Sequence, residues 1–270
     1  ETMINQSIKR NLMKEEIIEI LSFKSLIFTF AIMDLKLRYR NSILGIAWSF
    51  LEPLFILSIL NLVFSTILLN NIEYFPIFLI LSLVMYNMFT RSTSMSTESM
   101  LSKATIIKSV YLKREIFAIS STITAFFMML IEFSIVIVFI IIFQFSPTIT
   151  SLVIPLLVVL LFIFSLGIAL PLSALNVRFR DTRIIWTVIL QALFFLTPIF
   201  YVIDFLPESI AQLVRLNPLA LIMEMGHNAL LYNTWPSISD LSYVTVTSLG
   251  SMVVGWIIFR KMNKKIDELI

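Results

Sequence analysis

Apolar and polar positions follow one another along this chain in long blocks. Predominantly apolar runs occupy residues 44–69, 76–90, 116–143, 152–175, 184–201 and 241–259, with polar stretches between them. At 1.5 Å of helix rise per residue, runs of this kind match a hydrocarbon core about 30 Å thick, so they predict six membrane-spanning helices, with 76–90 the shortest. Ahead of the first run, residues 24–41 place Leu26, Phe30, Met33 and Leu37 three or four apart, while Lys24, Asp34, Lys36, Arg38 and Arg40 interrupt any spanning stretch. That pattern predicts an amphipathic helix lying in the membrane interface. Residues 204–232 carry two helical patterns, LPESIAQLVRL and PLALIMEMGHNALL, separated at Asn217-Pro218. Each is too short to cross, which predicts two re-entrant helices dipping into the outer leaflet.

The connecting segments are polar. RSTSMSTESMLSKATIIKSVYLKRE, residues 91–115, contains no Gly or Pro and reads as a cytoplasmic segment with a short surface helix around Ile106, Ile107, Val110 and Tyr111. NVRFRDTR, residues 176–183, is too short to hold a domain. Pro53, beside Glu52 in the first span, and Pro155 and Pro171 in the fourth, mark expected kinks or breaks.

Charge orients the spans. All 20 Lys and Arg except Arg215 fall into four clusters: Lys9 to Arg40, Arg91 to Arg114, Arg178 to Arg183, and Arg260 to Lys265. Lys and Arg are retained on the cytoplasmic side, so two crossings fit between neighbouring clusters and both termini are expected in the cytoplasm. Composition agrees: 59% of residues are hydrophobic, 14% are charged and the mean hydropathy is +0.96, so the chain's main solvent is lipid. A net charge of +3 raises the question of nucleic acid. The basic residues border apolar runs, however, and anionic lipid headgroups account for them more simply. The absence of cysteine removes disulfides and thiolate metal sites, and Glu15, Glu16 and Glu19 near the start do not fit a cleavable signal.

Candidate chemistry is sparse. None of the five glycines begins a GxxxxGK[ST] phosphate loop, so the chain has no such means of holding ATP. With His227 as the single histidine, a protein zinc site or a Ser-His-Asp triad has almost nothing to build on, and His227 reads as a structural residue. A membrane glycosyl- or acyltransferase would need an acid/base cluster at one face, for which Asp204, Glu208, Glu224 and Asp240 with His227 are the only candidates. Glu132 is the one carboxylate in the middle of a span. A proton-coupled carrier would use it, but an isolated acid without a basic partner is more simply a packing residue.

Several separated stretches, in order, resemble the permease subunits of ABC-2 type exporters of O-antigen polysaccharide and teichoic acid. DLKLRYRNSILGIAWSFLEPL (34–54) is similar to the family's entry motif, a basic interface helix turning through a Gly-containing step into the first span. IIKSVYLKREIF (106–117) resembles its first coupling loop, with Lys113 where a proline is usual. SALNVRFRDTR (173–183), LTPIFY (196–201) and LPESIAQLVRLNPLALIMEMGHNAL (206–230) resemble the second coupling loop, the end of the fifth span and the re-entrant pair.

The resemblance implies an all-α membrane protein that works as a homodimer of this chain over two copies of a separate ABC ATPase. ATP and Mg would then bind the partner subunit, with no cofactor on this chain and no nucleic acid as partner. It implies export of a lipid-linked glycan, with small lipids or drugs as the alternative cargo. The coupling residues would be Lys108, Tyr111, Lys113, Arg114, Arg178, Arg180, Asp181 and Arg183. Lys36, Arg38 and Arg40 lie where a lipid diphosphate would arrive, and arginine forks suit phosphate oxygens. General attraction to anionic membrane lipids is the plainer role for them. Sugars stack on aromatic faces, and the resemblance implies that the first and fifth spans border the pathway, which makes Trp48, Phe55, Phe194, Phe200 and Tyr201 the candidates for a translocation path. Most other aromatics are expected simply to pack or face lipid.

Overall fold

The computed structural model describes residues 19–20, 22–40, 42–68, 72, 74–110 and 112–263, and every regular element among them is helical. Tyr111 lies outside the described residues, as do Lys9, Arg10, Lys14, Lys264 and Lys265 of the basic clusters. The helices are α1 (Lys24–Tyr39), α2 (Trp48–Leu68), α3 (Phe75–Ser102), α4 (Ala104–Ser109) and α5 (Glu115–Ile142). They continue with α6 (Ile154–Arg178), α7 (Thr182–Phe195), α8 (Glu208–Arg215), α9 (Pro218–Leu230) and α10 (Ile238–Asn263). Five of them, α2, α3, α5, α6 and α10, are long and apolar enough to cross a membrane.

Helix α3 is the heart of the bundle and packs against α2, α5, α6, α7 and α9. In its most apolar window 83% of residues are buried, against 17% in α2 and in α10, which turn most of their surface outward. It is also where the structure departs furthest from the sequence pattern. The span expected to end at residue 90 runs on to Ser102, through the stretch read as a cytoplasmic segment, and Ser92, Thr93, Ser96, Thr97 and Ser99 are all buried. Their hydroxyls are satisfied internally: Thr93 Oγ1 donates to Phe89 O (2.9 Å) and Thr97 Oγ1 to Thr93 O (2.7 Å). Across the helix interface, Ser92 Oγ donates to Thr122 Oγ1 (3.0 Å) and Ser96 Oγ to the carbonyl of Ala118 (3.1 Å). Small hydroxylated side chains allow close helix packing and bond back to the backbone, so a polar sequence here makes a helix core.

Helix α7 departs in the other direction. The span expected over residues 184–201 is helical only as far as Phe195, giving 14 residues or roughly 21 Å, short of a hydrocarbon core. Thr197-Pro198 stops it, and the Thr197 hydroxyl caps the carbonyl of Leu193 at 2.7 Å. Pro155 sits in the first turn of α6, where a missing N–H costs nothing, so it is not a kink. Pro171 is inside α6 and deprives the carbonyl of Gly167 of its helical donor. Against that same oxygen α10 packs tightly: a Cβ added to Gly255 would lie 1.9 Å from Gly167 O.

Helix α1 rests on α5 through Ile27, Phe30 and Ala31, and Thr124 Oγ1 donates to Ala31 O (3.2 Å). The buried stripe is therefore turned from the expected one, since Met33 and Leu37 are exposed together with Phe28 and Ile32. Gly45 then reverses the chain with φ +52°, a left-handed conformation that L side chains rarely adopt. Contacts draw the described parts of the basic clusters to one face: Lys103 pairs with Asp34 (2.5 Å), Lys113 with Glu19 (2.5 Å) and Arg183 with Glu98 (2.7 Å). Arg114 completes the set by donating to Asn263 Oδ1 at 2.9 Å.

Candidate functional site

On the basic face, the turn between α1 and α2 forms one wall of a groove of about 660 Å³, lined by Arg38, Tyr39, Ser42, Trp48, Glu52, Phe55 and Ile56. The hydroxyls of Tyr39 and Ser49 bond to each other and tie the end of α1 to the start of α2. Trp48 and Phe55 are exposed, as are Lys36, Arg38 and Arg40, and none of these three cations has an ion-pair partner among the described residues. Arg38 lines the groove, while Lys36 and Arg40 flank it in sequence.

Behind the groove lies a charged cluster within the bundle. Arg91 of α3 is buried, its Nη2 donates to Glu52 Oε2 (2.9 Å), and its Nη1 donates to Glu132 Oε1. Sequence reasoning placed Arg91 in a loop and left Glu132 without a partner, and the structure corrects both points. Glu132 is fully buried beside a guanidinium, the arrangement expected of a structural ion pair within a span. The signal that could have found Arg91 was the lack of any Gly or Pro near residue 90, which leaves no breaker to end α3 there.

The described candidate coupling residues share the same face. Lys108 is exposed at the end of α4, and Lys113 and Arg114 are engaged with Glu19 and Asn263. Arg178 lies over the Phe179 ring (5.2 Å), and Asp181 precedes α7 without a side-chain capping bond. A cleft of about 320 Å³ joins the end of α3 to the second loop, lined by Glu98, Leu101, Ser102, Asn176, Arg180 and Arg183. Within it Arg183 is held by Glu98, whereas Arg180 is exposed and has no ion-pair partner among the described residues.

The candidate path aromatics divide into two groups. Trp48 and Phe55 line the groove. Phe194, Phe200 and Tyr201 gather instead around the far end of α7, where Phe200 stacks on Phe64 of α2 (4.7 Å) and meets Phe194 (6.0 Å) and Tyr201 (5.4 Å). Phe64 lies 16 residues along α2 from Trp48, roughly 24 Å.

At that end α8 and α9 are two short helices broken at Asn217-Pro218, as the pattern predicts. Asn217 caps α9 by accepting from Leu219 N (3.1 Å), and Tyr243 donates to Leu216 O (2.8 Å), so protein groups satisfy the exposed backbone. Arg215, the cation outside every cluster, clamps Asp204 (3.0 Å) and Glu224 (2.9 Å). Burial pushes the Glu224 carboxyl up against the pull of Arg215. His227 is buried with Nε2 2.6 Å from Ser82 Oγ and 3.2 Å from Phe78 O, and its ring stacks on Phe78 at 3.5 Å. Burial lowers the ring's pKa to about 3. The cavity beside these groups is about 20 Å³, room for a water and not for a sugar.

Apolar spans, a basic interface helix and short loops on one face make an architecture that suits a transporter membrane subunit. The chain belongs to the ABC-2 type transporter family, whose model matches residues 25–231. It is 29% identical to an O-antigen export system permease protein RfbA of Klebsiella pneumoniae over 238 residues, which are 88% of this chain and 92% of that one. It is also 24% identical to the RfbA permease of Myxococcus xanthus over 255 residues, covering 93% and 98% of the two chains. The chain is an integral membrane protein.

Proposed function

We propose that this chain is the permease subunit of an ATP-driven exporter of a lipid-linked surface polysaccharide of the O-antigen or teichoic acid kind. It works as a homodimer in the cytoplasmic membrane, above two copies of a separate ABC ATPase that bind ATP and Mg. The observation that carries this reading is the groove on the basic face, where Arg38 stands beside the Trp48 and Phe55 rings with Lys36 and Arg40 next to it in sequence. An arginine fork suits a diphosphate and aromatic faces suit the first sugars, so one recess serves both ends of the lipid-to-glycan linkage. A carrier of small neutral drugs has no use for those cations. Both termini and the basic face are cytoplasmic by the positive-inside rule, and α8 and α9 re-enter from the outside.

The motor would press on α4 and on the loop between α6 and α7, with Arg180 the cation available to an acidic partner. Motion would pass to α2 and α7, which border the path. A transferase reading loses its candidate site, because Arg215 holds Asp204 and Glu224 and the buried His227 is committed to Phe78 and Ser82. The test is genetic. Cells lacking this chain should accumulate the lipid-linked polymer inside and lose it from the surface, and the intact chain should restore it where R38A/R40A restores much less. Unchanged surface polymer in its absence would overturn the proposal.

A further inference from the structure

Glu52 belongs to two structures at once. Its half-exposed carboxylate lines the groove beside Arg38, and it also accepts from Arg91 Nη2 at 2.9 Å. That contact is the one ion pair α2 makes with the rest of the bundle among the described residues. It matters because α2 turns most of its apolar window outward, with 17% of it buried, so its hold on the bundle rests on one flank.

We propose that Glu52 and Arg91 form an anion-operated latch, in which a diphosphate entering the groove displaces the Glu52 carboxylate from Arg91 and so frees α2 from the block of α3 and α5. The inference rests on the reading of the groove as a phosphate site, and adds how its occupancy is sensed. Two anions cannot share the recess without repulsion, and Arg38 on the groove wall favours the newcomer. Release does not strand a buried charge, because Arg91 keeps Glu132 on its other nitrogen. A ligand shifts such an equilibrium only by binding one state better, and the state with Glu52 withdrawn is the one that accepts a diphosphate.

The chain has no cysteine, so Leu62→Cys on α2 and Ile137→Cys on α5, both exposed positions, can carry a pair of spin labels on a clean background. The labelled full chain is diluted with unlabelled copies in phosphatidylcholine nanodiscs, and the distance between labels is read by electron double resonance. Farnesyl diphosphate should lengthen it by several ångströms. Inorganic diphosphate tested alone separates the two sources of the anion: a weaker response means a membrane-borne head, an equal one a free phosphate, and both support the latch. Glu52→Gln should show the longer distance without ligand and bind farnesyl diphosphate about tenfold more tightly, since no tie remains to be broken. Should that variant fail to fold, the wild-type response still decides. Binding of farnesyl diphosphate with no change in distance overturns the latch and leaves the export reading standing, whereas no binding at all overturns both.

Discussion

The two glycines of α10 should respond in opposite directions to the same substitution. A Cβ on Gly255 would sit 1.9 Å from Gly167 O and 2.8 Å from Gly167 C, both backbone atoms that no rotamer change can move. Gly250, five residues earlier on the same helix, has nothing within 4 Å of its would-be Cβ. Alanine is favoured over glycine in a helix by about 1 kcal/mol, and Gly250→Ala should gain up to that amount. Gly255→Ala gains the same propensity but must push α10 off α6, an overpacking cost of about 1–3 kcal/mol, to which the lost close packing of α6 on α10 adds. The two variants should therefore differ by about 2–3 kcal/mol. At roughly 2–4 °C per kcal/mol for a chain of this size, their midpoints should separate by about 5 °C or more. Thermal unfolding in detergent, followed by the fluorescence of the four tryptophans, makes the comparison. If Gly255→Ala proves as stable as Gly250→Ala, the contact of α6 with α10 is not as close as described and the reasoning fails.

Arg91→Met should destabilise the chain by about 3–5 kcal/mol by stranding the buried Glu132 carboxylate, and the added change Glu132→Leu should recover most of that loss. The same unfolding assay checks it, and a double variant no better than the single one would contradict the pairing. His227 gives a pH dependence whose sign follows from burial: the fold favours the neutral ring, with a pKa of about 3 against an ordinary 6.5. Its contribution is therefore complete above about 6.5 and is lost progressively as pH falls from there toward 3. Wild type should lose stability over that range more steeply than His227→Asn, and parallel profiles would refute the assignment.

How far the sequence discloses this molecule depends on where each residue's signal is decided. Long apolar runs bounded by charge located α2, α5, α6 and α10 within a few residues, because hydrophobic length and charge retention act locally. The break at Asn217-Pro218 was equally legible, since Asn caps and Pro begins a helix. The second half of α3 was not. Ser92, Thr93, Ser96 and Thr97 read as loop by polarity, yet their hydroxyls are bonded to helix carbonyls and to α5, a condition visible only once the neighbour is present. Arg91 and Glu132 were misread for the same reason: each is tolerable in the bundle only because of the other, and they lie 41 positions apart. Arg38, Trp48 and Phe55 stood out in the sequence separately, as headgroup and path candidates that the family resemblance implied, and their sharing one groove depends on the fold. Glu52 was seen only as the neighbour of Pro53, and its place in the groove wall depends on the turn at Gly45.

The central claim is that energy reaches this chain mechanically from a separate motor. Proteoliposomes containing the chain, with and without its ABC ATPase, and loaded with a radiolabelled lipid-linked glycan, test it directly. The account predicts transfer across the bilayer only when the ATPase and Mg-ATP are both present, with no change to the glycan itself. Transfer or covalent modification of the glycan by the chain alone would contradict it.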